Sequence, residues 1–207
     1  TTLIKLLLRL YDPTEGRILV NGRDIREYNL RSYRRLFATA FQDGKILARS
    51  VRDNVSMGEK IPEERIWQAL KLAGTDKTIE ALTCGLDTVL TKEFTEDGAV
   101  LSGGQAQRLA LARTLAHPRP VLVLDDPFSA LDRSTEDNVF ANLQAYAKDK
   151  VVFLISHRLY HFPQMQQVVF LDGGKATVGT HEELMASVPL YRQLYESQTA
   201  AKGGEPA

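Results

Sequence analysis

The chain has 207 residues, and its 26 Lys and Arg residues are balanced by 26 Asp and Glu residues. This length is enough for one or two domains with a buried core. The even charge balance argues against an overall basic surface for nucleic acid. The single cysteine, Cys84, excludes an internal disulfide. No run of the sequence reaches the roughly 18 apolar residues that a bilayer-spanning helix needs.

The N-terminal segment TTLIKLLLRLY predicts an apolar helix that stops before Asp12-Pro13, a turn signal. The phosphate-binding pattern G-x-x-x-x-G-K-[ST] is followed by a helix. Thr1-Thr2 stands before the predicted helix as the end of that pattern would, with Thr1 in the [ST] place. Neither an initiator Met nor a signal-peptide pattern is present. We therefore expect the sequence to begin inside a longer protein.

Two strand signals follow. Residues 16–25 read as a hairpin around Asn21-Gly22, because Asn-Gly is the strongest short hairpin signal. After a predicted helix over 30–36, residues 37–41 predict a strand, and Gln42 comes directly after it. A lone Gln at such a place is ordinarily a solvated polar residue.

The stretch between Gln42 and Ser102 is mainly helical in its pattern. We predict a helix start at Ser50, an amphipathic helix over 61–73 that is capped by Gly74, and a short helix over 75–82. Residues 91–100 (TKEFTEDGAV) are polar and acidic, as expected of a solvated loop.

The segment Leu101–Asp132 combines two features that suit a nucleotide. Ser102 is a preferred helix N-cap, and the unpaired N–H groups of the first helical turn favour a phosphate. The glycines after Ser102 carry no side chain that would keep an anion away from the backbone. Residues 121–124 predict a fully buried parallel strand, which ends in Asp125 and Asp126. Carboxylates at that edge of an α/β sheet can hold a hydrated Mg²⁺.

The C-terminal third continues the alternation of strands and helices. We predict an amphipathic helix over 133–150 and another buried strand over 151–155, followed by Ser156-His157. A hairpin over 168–180 and two helices, over 182–186 and 190–196, come next. Residues 199–207 are expected to be a disordered tail. The order of elements predicts an α/β domain.

The motifs LSGGQ, VLVLDD and SALD, in this order and spacing, resemble the signature motif, Walker B strand and D-loop of an ABC-type ATPase. The resemblance extends over nearly the whole chain. It implies a P-loop NTPase-type core over residues 1–198, with an inserted helical subdomain at about 46–116. It also implies that the N-terminal strands and most of the P-loop are missing from this sequence.

The same resemblance implies a role for individual residues. Thr1, Gln42 and Asp125 would surround Mg²⁺, Asp126 occupies the place of the base that orients the attacking water, and His157 would contact the γ-phosphate. The implied catalytic residues are Asp126, His157 and Gln42. Residues implied to bind ATP are Thr1, Thr2, Ser102, Gly103, Gly104, Gln105, Ser129 and Asp132.

The resemblance is strongest to bacterial exporter-type half transporters, and the acidic segment containing Glu96 resembles the exporter X-loop. It implies ATP hydrolysis that drives export, a head-to-tail dimer with a second nucleotide-binding domain, a transmembrane domain of the same transporter and a place on the cytoplasmic face of the plasma membrane. No nucleic acid is expected as a partner. A polypeptide of these 207 residues alone is expected to be inactive.

Asp126 departs from the family pattern, which usually has Glu there. The departure favours one half of a heterodimeric exporter whose own site is slow, and a homodimeric exporter is the alternative. A soluble ABC ATPase of DNA repair or chromosome organisation is disfavoured, because the stretch between Gln42 and Ser102 is short and lacks sustained heptads. A module that binds ATP only to hold a dimer remains a further alternative.

Overall fold

The computed structural model describes residues 2–42, 44–93 and 97–200. It consists of a first unit that ends at Ile155 and a second unit that begins at Ser156. Thr1, Glu96 and residues 201–207 of the expected tail lie outside the described residues. The single domain over 1–198 and the helical subdomain over about 46–116 stay predictions.

A parallel sheet organises the first unit. Its strands are β3 (Phe37–Ala40), β4 (Val121–Asp125) and β5 (Val151–Ile155), and their spatial order is β3-β4-β5. All three strands run in the same direction, with Asp125 paired to Ile155 at the carboxyl end of the sheet. The predicted α/β class is therefore confirmed, and the residues that follow β3, β4 and β5 leave from one edge.

Burial differs sharply between two of these apolar strands. In β4, Leu122, Val123 and Leu124 are at most 1% exposed, as predicted for a strand covered on both faces. The prediction of a buried β5 is wrong, because Val151 is 56% and Phe153 is 42% exposed. Within the described residues β5 is the edge strand and pairs only with β4, so its apolar side chains have fewer neighbours.

A small antiparallel hairpin and a series of helices complete the first unit. The hairpin pairs β1 (Leu19–Val20) with β2 (Arg23–Asp24), and the positive φ angles of Asn21 and Gly22 form its turn. The helices are, in chain order, α1 (Thr2–Leu7), α2 (Leu30–Arg34), α3 (Val51–Ser56), α4 (Glu63–Leu72), α5 (Asp76–Glu80), α6 (Gly103–Ala116) and α7 (Arg133–Tyr146). Short 3-10 turns cover Ile25–Glu27 and Gly85–Asp87.

The helices α3, α4, α5 and α6 all lie between β3 and β4 in the chain, so a helical insertion separates two neighbouring strands. α6 packs against α3, α4 and β3. Its middle is buried, with Leu109, Leu111 and Leu115 at most 1% exposed. This helix therefore connects the helical region to the sheet.

The second unit contains a 3-10 turn (Leu159–Gln164), the hairpin β6 (Val168–Asp172) and β7 (Lys175–Gly179), and the helices α8 (His181–Ser187) and α9 (Pro189–Ala200). Its core is formed by Val168, Leu184 and Tyr191. Burial raises the pKa of Tyr191 to about 12. Because α9 runs to Ala200, the first two residues of the expected tail are helical.

Candidate functional site

The start of α6 is a capping box, which fixes the LSGGQ segment. Ser102 Oγ accepts a hydrogen bond from the Gln105 N–H at 3.3 Å, and Gln105 Oε1 accepts one from the Ser102 N–H at 2.8 Å. The box satisfies two backbone donors reciprocally. Ser102 is exposed, and its hydroxyl still has a proton to donate, because capping uses only the oxygen as an acceptor.

The two glycines of this segment have different surroundings. A Cβ atom placed on Gly103 would have no heavy atom within 4 Å, whereas one on Gly104 would lie 2.8 Å from the carbonyl oxygen of Ala130. Gly103 therefore leaves the backbone of the first turn open to a ligand. Gly104 instead lets the helix approach the backbone of the SALD segment.

The different surroundings of the two glycines predict different effects of Gly→Ala substitutions on stability. Gly104→Ala is expected to lower the free energy of unfolding by about 1–3 kcal/mol, because the methyl group must displace the Ala130 backbone. Gly103→Ala is the matched control, and Ala is the better helix former by up to about 1 kcal/mol. Urea unfolding of the chain, followed by the fluorescence of its one tryptophan, Trp67, measures both. Equal stability of the two variants would contradict the close approach.

The carboxyl end of β4 presents two buried acids. Asp125 and Asp126 are each 5% exposed. Asp126 has a positive φ of 49°, a conformation that Asp tolerates better than most residues. Its N–H donates to the carbonyl oxygen of Ile155 at 2.8 Å. Within the described residues no hydrogen bond reaches the Asp126 carboxylate, so its oxygens are available for a ligand.

Gln107, in the second turn of α6, binds the chain that follows these acids. Its Nε2 donates to the Asp126 carbonyl oxygen at 3.1 Å and to Ser129 Oγ at 2.8 Å. Its Oε1 accepts from the Ala130 N–H at 2.8 Å. The segment between β4 and α7 is thus attached to the helix that begins at Ser102.

Gln42, the predicted polar residue after β3, is exposed near the carboxyl edge of the sheet. It lines a groove of about 440 Å³ together with Gly103, Gln107 and Ser129. The structure therefore brings Gln42, the start of α6 and the SALD segment around one groove. All of these residues belong to the first unit.

The loop after Gln42 is held by a buried asparagine and an arginine from α6. The Asn54 side chain is fully buried and bonds the backbone N–H and C=O of Leu47, at 2.8 and 2.9 Å. Arg113 donates to the Asn54 carbonyl oxygen at 2.7 Å and to the Lys45 carbonyl oxygen at 3.1 Å. Burial lowers the pKa of the Arg113 guanidinium below its usual value.

Asp132 has a local role in the described structure. It is the N-cap of α7: its Oδ1 accepts from the Thr135 N–H at 2.9 Å, and its Oδ2 accepts from Thr135 Oγ1 at 2.6 Å. These hydrogen bonds from Thr135 lower the pKa of the Asp132 carboxyl. The Asp132 side chain is otherwise exposed.

His157 belongs to the second unit. Its side chain is exposed, and its carbonyl oxygen accepts a hydrogen bond from Gln198 Nε2 at 2.8 Å. His181, which had no predicted function, is buried and hydrogen-bonds the Tyr191 hydroxyl at 2.8 Å. Thr2 begins α1, whereas Thr1 lies outside the described residues.

Gln107, Asn54 and Arg113 were not predicted from the sequence. The only signal for Gln107 was a polar residue two positions after Gln105 on a half-buried helix, a feature with many explanations. Its hydrogen-bond partners lie 19 to 23 residues further along the chain, so only the fold identifies them.

The acid pair suits a hydrated Mg²⁺. Carboxylate oxygens are the hard donors that this ion prefers, and Mg²⁺ is commonly held by one or two carboxylates, water and phosphate oxygens. Among the described residues no group of three or more His, Cys, Asp and Glu side chains forms a metal site. Asp125 and Asp126 are the residues that could hold such an ion together with water and phosphate oxygens.

An acid pair at the carboxyl end of a central parallel strand lies where open α/β sheets bind ligands, and the capped, glycine-containing start of α6 suits an anion. The family model described as "ABC transporter" matches residues 1–129. The chain belongs to this family, and its fold is a P-loop ABC ATPase core. Members of the family bind and hydrolyse ATP, typically with Mg²⁺.

Two of the curated relatives are an export protein and a flippase. The chain is 40% identical over 188 residues to the β-(1→2)glucan export ATP-binding/permease protein NdvA of Agrobacterium vitis, covering 90% of this chain and 32% of the relative. It is 37% identical over 199 residues to the ATP-dependent lipid A-core flippase of Paraburkholderia xenovorans, covering 96% of this chain and 33% of the relative. The chain thus spans much less than half the length of these relatives.

A solved structure of a bacterial Atm1-family ABC exporter with ATP bound is also similar. The TM-score is 0.87 at 32% sequence identity, over 99% of this chain and 35% of that chain. These matches confirm the prediction of an exporter-type nucleotide-binding domain. No helix in the described part of the chain is both long and apolar enough to cross a membrane.

Proposed function

We propose that this chain is the ATP-hydrolysing domain of an ABC exporter and forms one half of a heterodimer whose own nucleotide site is slow. The proposal includes a second nucleotide-binding domain packed head to tail, a transmembrane domain of the same transporter and a position on the cytoplasmic face of the plasma membrane. The observation that carries it is the complete LSGGQ capping box together with Asp, not Glu, at position 126.

The signature segment serves the partner's ATP in this proposal. The Ser102 hydroxyl donates to the γ-phosphate, and the open backbone at Gly103 admits the phosphate to the first turn of α6. Gln105 keeps Ser102 in place through the capping box. Gly104 and Ser129 hold the helix and the SALD segment close together, and Asp132 supports the interface as the cap of α7.

The carboxyl edge of the sheet serves the chain's own ATP. Asp125, Gln42 and Thr1 would hold the Mg²⁺ that accompanies the nucleotide, and Thr2 would contribute to phosphate binding. Bound Mg²⁺ neutralises charge on the phosphate oxygens. Asp126 accepts a proton from the attacking water and orients it, and His157 contacts the γ-phosphate. Catalysis of this kind depends on positioning and charge more than on covalent chemistry.

Asp126 limits the rate at this chain's own site. Its carboxylate lies one methylene closer to the backbone than a Glu carboxylate would, and the backbone of Asp126 is fixed by hydrogen bonds from both sides. A displacement of about 1 Å at a catalytic group can cost on the order of 10²-fold in rate. The intact signature segment still completes the site of the partner.

The proposal is tested by comparing ATP hydrolysis by the complete protein expressed alone with that of the complete protein co-expressed with a second exporter half as its partner. We expect little ATP hydrolysis by the protein alone and a rise of at least about tenfold with the partner, because only the mixed dimer contains a competent site. Equal turnover in both preparations would support the homodimeric alternative. Absence of ATP-dependent transport in membrane vesicles from either would defeat the exporter function.

A polypeptide of only these 207 residues is expected to bind Mg-ATP weakly and to hydrolyse almost none. The sequence contains no G-x-x-x-x-G-K-[ST] pattern, so several charge-assisted hydrogen bonds to phosphate, worth about 1.5–3 kcal/mol each, are absent. Calorimetric titration with Mg-ATP measures this. Micromolar affinity would contradict the role assigned to Thr1 and Thr2.

A further inference from the structure

Gln107 is the one side chain of α6 that hydrogen-bonds both the Asp126 turn and the SALD segment within the described residues. We propose that it is a positioning residue for ATP hydrolysis. Its amide fastens the turn that carries Asp126, and the backbone at Ser129 and Ala130, to the helix that begins with the signature segment. This inference rests on the proposed function, because it assigns Asp126 to the chain's own site and Ser102 to the partner's.

The hydrogen-bond pattern fixes the orientation of the Gln107 amide. The Ala130 N–H can only donate, so the atom 2.8 Å from it must be the amide oxygen. The amide nitrogen then faces two acceptors, the Asp126 carbonyl oxygen at 3.1 Å and Ser129 Oγ at 2.8 Å. Both N–H donors and one oxygen lone pair are used, which leaves the side chain no alternative orientation with equal bonding.

The Asp126 backbone is held from two directions. Its N–H donates to Ile155 at the end of β5, and its carbonyl oxygen accepts from Gln107. These two bonds act on a residue with a positive φ of 49°, where the backbone has few alternatives to adopt. Because the side chain of Asp126 is short, the direction of its carboxylate follows the backbone closely.

The same amide connects the two nucleotide sites. Ser102 and Gly103 lie at the start of α6, one to two turns before Gln107 on the same helix. Gly104 adds a second attachment through its close approach to the Ala130 carbonyl oxygen. A shift of α6 when the partner's nucleotide binds is therefore passed through Gln107 to the turn that orients Asp126. Loss of the amide should affect turnover more than nucleotide affinity.

Gln107→Leu and Gln107→Glu in the complete transporter test this inference. Leu keeps a similar volume and removes all three hydrogen bonds. Glu keeps an acceptor for the Ala130 N–H and loses both donors. Hydrolysis is measured after replacing the partner's water-orienting acid by Gln, so that the remaining turnover belongs to the site of Asp126. Hydrogen exchange at the Ala130 amide gives a readout that does not depend on activity.

For Gln107→Leu we expect kcat to fall by about tenfold or more with KM for ATP within about twofold, because positioning is lost without loss of binding groups. Exchange at Ala130 should become about tenfold faster, since its N–H loses its acceptor. Gln107→Glu should lower kcat similarly while Ala130 exchange stays near the wild-type rate. If Gln107→Leu fails to fold, Gln107→Glu decides the question alone.

Gln68→Leu is the matched control, because Gln68 is an exposed glutamine on α4 outside the proposed site. It should change neither kcat nor Ala130 exchange. The positioning role would be overturned by an unchanged kcat in folded Gln107→Leu or Gln107→Glu. It would also be overturned if Gln68→Leu lowered kcat as much as Gln107→Leu does. Either result would leave the proposed function intact. An unmutated transporter that hydrolyses no ATP at the Asp126 site would instead defeat the function proposed for that site and this role with it.

Discussion

Ser102→Asp is expected to lower ATP hydrolysis at the partner's nucleotide site by about 100-fold or more, while ATP binding by the mutated chain itself stays nearly unchanged. Ser102 is exposed at the start of α6, where the proposal places the partner's γ-phosphate. An added carboxylate would repel that phosphate. Two unit charges 4 Å apart near a protein surface interact by roughly 4 kcal/mol, which is more than a hundredfold in rate.

Ser102→Asn is the matched control for this charge. Asn and Asp have nearly the same size and are about equally good N-caps, so both should preserve the start of α6. An acid at a helix N-terminus is also favourable for the helix dipole, and Ser102→Asp should therefore not lower the melting temperature. The asparagine variant loses only the hydroxyl donor and should keep far more activity than the aspartate variant.

The measurement has two parts. Photolabelling of each subunit with an ATP analogue reports binding at each site, and turnover is measured separately in the same preparations. We expect Ser102→Asp to reduce turnover that depends on the partner's own catalytic acid. Loss of labelling on the mutated chain alone would show that the signature segment acts within its own subunit, and it would contradict the head-to-tail arrangement.

The elements that the sequence predicted correctly are those with local signals. Asn21-Gly22 forms the predicted hairpin turn, because both residues tolerate positive φ. Ser102 and Gln105 stand three residues apart, the spacing of a capping box, and α6 begins there. In these places the atoms that determine the structure lie within a few residues of one another.

The errors and omissions concern contacts that are distant in sequence. The apolar strand β5 was predicted to be buried, yet composition alone does not tell which strand of a sheet lies at the edge. Gly103 and Gly104 look alike in sequence, and only the position of Ala130 separates their roles. Gln107 likewise became recognisable once α6 and the segment after β4 were packed together.

Asp126→Glu is expected to raise hydrolysis at this chain's own site by about tenfold or more, because the longer side chain moves the carboxylate toward the place of the attacking water. The backbone that would carry the Glu is held at both its N–H and its carbonyl oxygen. The additional methylene therefore moves the carboxylate away from the backbone and does not shift the turn. The partner's catalytic acid is replaced by Gln during the measurement, so that only this site contributes.

The positive φ of 49° at residue 126 predicts a cost for the same substitution. Asp is several-fold enriched among non-glycine residues in this conformation, and Glu is not. Asp126→Glu should thus destabilise the domain by up to about 1 kcal/mol even as its activity rises. A gain in rate together with a small loss of stability would distinguish a better-placed catalytic group from a general stabilisation.

Asp126→Asn is the control that separates the effect of the carboxylate charge from the effect of side-chain length. Asn keeps the size and the tolerance of positive φ but cannot accept a proton from water, so the residual hydrolysis at this site should disappear while ATP binding persists. Single-turnover hydrolysis by wild type, Asp126→Glu and Asp126→Asn, each paired with the disabled partner, compares the three side chains directly. Fast hydrolysis by wild type that Asp126→Glu does not improve would mean that Asp126 already reaches the water, and it would favour the homodimeric exporter.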